Sequence, residues 1–220
     1  MATRFYLPSS GTSPLDSLAD SAIWNEVAAC FYRAPLVTTK SNTSLTDFSE
    51  NFTAGTTANL IIAQFTSVAL SSGISFTTSH TLSGVIRGLE ANWACDAYIT
   101  TAVRVVSGDG ATVRGTIFQA ISTPELNYTT AKTRIWNAVN LTAVTAQTGD
   151  RIVVELGFWG QTPDTGYDVT IRLGDPSGTA DFALTEDLVT DLCPWIELSP
   201  DLTFSAEAPD TDLFLDGIWG

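Results

Sequence analysis

Two alternating runs joined by a glycine-rich turn constrain this chain more than any other feature. Residues Ala97–Ser107 and Ala111–Ile121 flank Gly108-Asp109-Gly110, and Asp-Gly tolerates the positive φ angles that a tight hairpin turn demands. The period of two puts Val103 and Val105 on one face and Arg104 on the other, and separates Val113 from Arg114 in the same way. Further strand-like runs recur at Leu36–Lys40, Leu60–Ala69, Ile74–Leu82, Arg151–Gly157, Tyr167–Leu173 and Pro194–Ser199, bounded by Gly, Asn, Asp, Pro or Ser. Seven or more strands at this spacing, without long helices between them, predict an antiparallel β-sandwich of jelly-roll type rather than a parallel α/β sheet. Composition agrees, because 32 Thr, 19 Ser and 22 aromatic residues in 220 favour strands.

Three segments follow from this pattern. Residues 1–34 are expected to pack on the sandwich, with at most one short helix where Ser13-Pro14 precedes Leu15, Leu18, Ala22 and Ile23. Residues 35–199 form the sandwich itself. Residues 200–220 are punctuated by Pro200 and Pro209 and read as an extended acidic arm.

The net charge is −14, and Arg172 is the last basic residue, so 11 of the 24 acids lie beyond it without a compensating cation. A chain of this sign does not wrap a phosphate backbone by counterion release. The acidic segment is either a solvated tail or an arm for a basic partner. It finishes on Leu213, Phe214, Leu215, Ile218 and Trp219, and solvated tails do not ordinarily end on such residues. These five are the candidate subunit-interaction residues, with packing on their own sandwich as the competing reading.

Catalytic signatures are missing from the sequence. His80 is the single histidine, there is no GxSxG, and Lys40 and Lys132 do not follow a phosphate-binding glycine loop. Cys30, Cys95 and Cys193 have neither metal-ligand nor CxxC spacing and read as buried thiols. No enzyme, metal or cofactor is expected. The aromatic residues leave one recognition alternative, a glycan-binding module: Trp159 and Tyr167 flank a turn-rich loop and could share its tip for stacking on sugar. No run approaches 18 consecutive apolar residues, and Pro8 interrupts the opening segment, so neither membrane insertion nor a signal peptide is expected.

Four blocks in order resemble a family of tailed-bacteriophage virion-associated β-sandwich proteins: the opening Ala2–Gly11 with Ser13-Pro14, then Arg104–Thr116, Gly149–Gly157 and Pro194–Ser199. The resemblance implies a structural protein of the virion, in head decoration or in tail, baseplate or fibre, assembled in the host cytoplasm. Its implied partners are other virion proteins and copies of itself, and a host-surface glycan would serve the alternative. The family supplies no catalytic residues, and residues 201–220 lie outside the resemblance.

Overall fold

The computed structural model describes residues 1–15, 17–52, 57–161, 166–185 and 187–206. Thirteen strands are found among them: β1 (Thr3–Tyr6), β2 (Glu26–Leu36), β3 (Thr46–Asn51), β4 (Thr57–Ser67), β5 (Ile74–Phe76), β6 (Thr81–Glu90), β7 (Tyr98–Val106), β8 (Val113–Ile121), β9 (Lys132–Asn140), β10 (Val144–Ala146), β11 (Arg151–Gln161), β12 (Asp168–Leu173) and β13 (Trp195–Leu198).

Eight of these nest as a long hairpin folded over on itself. Taking β3, β4, β6, β7, β8, β9, β11 and β12 in order, the first pairs with the eighth, the second with the seventh, the third with the sixth and the fourth with the fifth, all antiparallel. The pairs alternate between two sheets, β3-β12-β6-β9 and β4-β11-β7-β8. That order defines a jelly roll. Three strands extend it. β13 lies against Leu82–Val85 on the edge of β6 away from β9, β1 pairs outside β13, and β2 adds a parallel strand to the edge of β4. Pro35 is tolerated in β2 because an edge strand can leave one side of its backbone unpaired. A ribbon of β5 and β10 closes one end.

The core forms where the inward faces meet. Leu60, Ile62, Val103, Val105, Val154, Leu156 and Phe158 come from one sheet, and Leu82, Ile86, Val169, Ile171, Ile196 and Leu198 from the other, all within 1 % of full burial. Val103 and Val105 thus point inward, and Arg104 points to the outer face of its sheet, as their alternation predicted.

That outer face is covered by the N-terminal segment, whose described residues form no helix where at most one short helix was expected. The reason is where its backbone groups find partners. The Ser21 N–H donates to Glu155 Oε1 (3.1 Å), while the carbonyls of Leu18 and Ala19 accept from Arg33 (3.0 Å) and Arg104 (2.7 Å). A helix would have claimed those groups for itself. Leu18 meets Val106 and Val153 under this strap. Glu155, wholly buried, also accepts from Trp24 Nε1 (2.9 Å), Gln64 Nε2 (3.1 Å) and the guanidinium of Arg104.

The expected segment boundaries shift accordingly. Residues 1–34 supply β1 and most of β2, so they belong to both sheets, and a boundary at 34/35 cuts through a strand. Of the run at Leu36–Lys40 only Leu36 lies in a strand, as the last residue of β2, with Val37 making a single bridge to Tyr6, and Ile74–Leu82 is divided by a turn at Thr77–His80, closed by the His80 N–H to the Thr77 carbonyl (3.0 Å).

Candidate functional site

The nested pairing brings four connections to one end of the roll: β3 to β4, β6 to β7, β8 to β9 and β11 to β12. Asn51 lies opposite Asp168, Glu90 opposite Val169, Lys132 opposite Gly88, and Tyr98 opposite Trp159, so the strand ends that feed these connections are neighbours. Connections on a rigid double sheet are the usual place for recognition.

Trp159 stands within β11, not at a loop tip, since the strand runs past it to Gln161. Its ring packs on Tyr98, centroid to centroid 5.3 Å and tilted by 54°. Tyr167 is half-buried against the main core, and its carbonyl accepts the Phe52 N–H (3.0 Å). The loop that separates Trp159 from Tyr167 includes residues 162–165, which lie outside the described residues. Two aromatics that the sequence did not single out are more open to solvent: Trp93, 70 % exposed in the β6–β7 connection, and Tyr128, 49 % exposed in the β8–β9 connection.

Beneath this end lies a pair of carboxyl groups. Glu90, 1 % exposed, accepts the Ala97 N–H at 2.9 Å, and Glu125 is close enough for its charge to act on both Glu90 and Tyr98. Burial, then the nearby charges of Glu125 and Asp96, outweigh the Ala97 N–H and push Glu90 up to about 7. Cys95, buried beside it, is pushed up to about 12 by the same loss of solvent and the same acids, so its thiol stays protonated and inert. Chemically, this end offers aromatic faces over a carboxyl pair. It suits stacking and hydrogen bonding better than nucleophilic attack.

A pH dependence follows. A folded-state value of about 7 against an ordinary 4.5 means that the native state holds this proton more tightly than the unfolded chain. The contribution is therefore fully present below pH 4.5 and is lost as pH rises through 7. Melting temperatures compared between pH 5 and pH 8 should show a loss of the order of 1–3 kcal/mol from this group. Glu90→Gln, which keeps an acceptor for Ala97, should remove that part of the slope, and an unchanged slope would show that Glu90 does not titrate in this window.

The five apolar arm residues, Leu213, Phe214, Leu215, Ile218 and Trp219, lie outside the described residues. The described beginning of the arm is docked on the sandwich: Leu202 is buried, the Ser205 N–H donates to the Ala69 carbonyl (2.8 Å), and Phe204 bridges to Leu70 and meets Phe5 edge-on at 5.9 Å. Phe204 also walls a groove of about 450 Å³ along the end of β2, with Pro35, Leu36, Val37 and Val68 among its lining. Of the three thiols, Cys95 and Cys193 are buried as expected, whereas Cys30 is half-exposed in β2.

The strand order places the chain among jelly-roll β-sandwich proteins. No family model and no curated protein matches the sequence. Among solved structures, the infectious bursal disease virus Gx strain gives 12 % identity and a TM-score of 0.28, covering 93 % of this chain and 55 % of that one. A mutant VP2 protein of the same virus gives 12 % and 0.24, covering 74 % and 40 %, and the Gt strain gives 9 % and 0.27, covering 84 % and 46 %. The chain thus spans about half the length of the solved chains it matches. The strand order, not these likenesses, carries the fold assignment.

Proposed function

We propose that this chain is a structural subunit of a tailed-phage particle that acts through protein–protein contact and performs no catalysis. One observation carries the reading. Beyond Ala206, the last described residue, the sequence runs through the acids Glu207, Asp210 and Asp212 and then carries Leu213, Phe214, Leu215, Ile218 and Trp219. An acidic stretch followed by clustered apolar residues is a composition suited to holding a partner, because burying apolar surface yields roughly 25 cal/mol per Å² without altering the folded body. Its partners in this reading are neighbouring virion proteins and further copies of itself, and the charge of −14 argues against the packaged nucleic acid.

Immunogold labelling of intact parent particles tests this directly. Label over the head assigns decoration or cement, label on the tail assigns a tail, baseplate or fibre component, and particles without label overturn the proposal. Deleting residues 209–220 should abolish incorporation into particles while the purified protein keeps its melting temperature.

A further inference from the structure

Trp93 and Tyr128 are the most exposed aromatic rings among the described residues, and each stands on a turn that fixes it. In the β6–β7 connection the Asn92 carbonyl accepts the Cys95 N–H (3.0 Å) and Asn92 Oδ1 accepts the Ala94 N–H (3.0 Å), while Cys95 and Ala97 are fully buried just beyond. In the β8–β9 connection Asn127 Oδ1 accepts the N–H groups of Thr129 (2.8 Å) and Thr130 (3.0 Å), and the buried guanidinium of Arg134 holds the carbonyls of Pro124 (2.7 Å) and Glu125. The two connections are laced together, since the Glu90 N–H donates to the Asn127 carbonyl (3.4 Å) and the Leu126 N–H to the Ala97 carbonyl (2.8 Å). Counted along the chain through the Glu90 contact, the Cα atoms of Trp93 and Tyr128 are at most about 22 Å apart, a span that a short oligosaccharide bridges.

The polar side chains of the same two connections set the chemistry of a ligand. Asp96 is exposed and Glu125 half-buried, and the charges of both act on Cys95 and Tyr98. The bases of the adjoining β9 are turned to other partners, Lys132 to Asp187 (3.5 Å) and Arg134 to the two carbonyls. Carboxylates accept hydrogen bonds and donate none, so they suit a ligand rich in hydroxyl groups and repel an anionic one. Rings held in water by rigid turns offer apolar faces on which the C–H face of a sugar can lie. We propose that Trp93 and Tyr128 form a platform for a neutral oligosaccharide, whose rings stack on the two aromatics while its hydroxyls donate to Asp96 and Glu125. The platform lies on other residues than the sequence-derived pair: the Trp159 ring is already packed on Tyr98, and Tyr167 is set against the core. It needs neither the C-terminal arm nor the particle role.

A glycan array probed with the purified full chain tests the platform, with neutral hexose and N-acetylhexosamine oligosaccharides beside sialylated and uronic-acid glycans. Binding should be confined to neutral glycans. In calorimetric titration with the strongest of them, Trp93→Ala and Tyr128→Ala should each weaken binding by about tenfold or more. Both side chains are exposed, so the melting temperatures of the two variants should match that of the unsubstituted protein. Tyr128→Phe keeps the ring and should keep the affinity. Failure to bind any neutral glycan on the array would overturn the proposal, and so would a preference for acidic glycans or an affinity that survives both alanine substitutions. The outcome is separable from the particle role: glycan binding with unlabelled particles removes the virion reading alone, while labelled particles whose subunit binds no glycan remove the platform alone.

Discussion

Glu155→Ala should cost about 3–5 kcal/mol, because it leaves the Arg104 guanidinium, 3 % exposed, without its counter-charge in the dry space beneath the N-terminal strap. For a chain of this size each kcal/mol shifts the melting temperature by about 2–4 °C, so the transition should fall by roughly 10 °C. The same substitution removes the acceptor of Ser21 N–H and Trp24 Nε1, so limited proteolysis should open the chain within residues 17–25 before the sandwich itself is cut. The double replacement Glu155→Leu with Arg104→Met tests the cause. It removes both charges together and should recover much of the loss, since what destabilises is the stranded cation and not the missing attraction. A double variant as unstable as Glu155→Ala would instead show that the strap depends on the hydrogen bonds of Glu155.

Gly157→Ala should be at least as damaging, by a different route. The pairing of β11 with β4 slips between Leu156 and Gly157, and there the two backbones approach so closely that a Cβ on Gly157 would stand 2.0 Å from the Leu60 carbonyl oxygen. Backbone on a central strand cannot step aside as a flexible side chain can. The ladder must therefore part, at a cost above about 3 kcal/mol or with loss of soluble protein. Gly178→Ala is the matched control: nothing lies within 4 Å of its Cβ position, and its melting temperature should match that of the unsubstituted protein.

How far the sequence could be read depends on which strands are buried on one face. β7, β11 and β12 alternate or run apolar because they cross the middle of the sheets, and their periodicity announced them. β3 lies at a sheet edge with the largely exposed sequence Thr46–Asn51, which carries no apolar stripe. β9 is concealed similarly, since its second half is exposed and Ala138 takes a positive φ of 50° where the register against β6 is irregular. The site shows the same division. Trp159 was legible as an aromatic close to a loop, but its ring partner Tyr98 is a neighbour only through the register of β7 and β11. The Glu90–Glu125 pair had no local signal at all, because two acids in separate segments look solvated until the fold buries one of them. The strap, where the sequence allowed at most one short helix, stays irregular among its described residues for a related reason: the groups that capture its backbone, Arg33, Arg104 and Glu155, sit on three different strands.

The nested pairing also sets an order of events during synthesis. β7 and β8 are adjacent in the chain and can meet as soon as both are made, but Asn51 and Asp168, which face each other at the rim of the roll, are 117 residues apart. Thr3 waits still longer, because its partner Leu198 belongs to β13. At roughly 5–20 residues per second a ribosome needs about 10–40 s to bridge that gap. β1 is therefore made long before it can be seated and, only four residues long with Pro8 just behind it, offers little edge for a wrong strand to pair with while it waits.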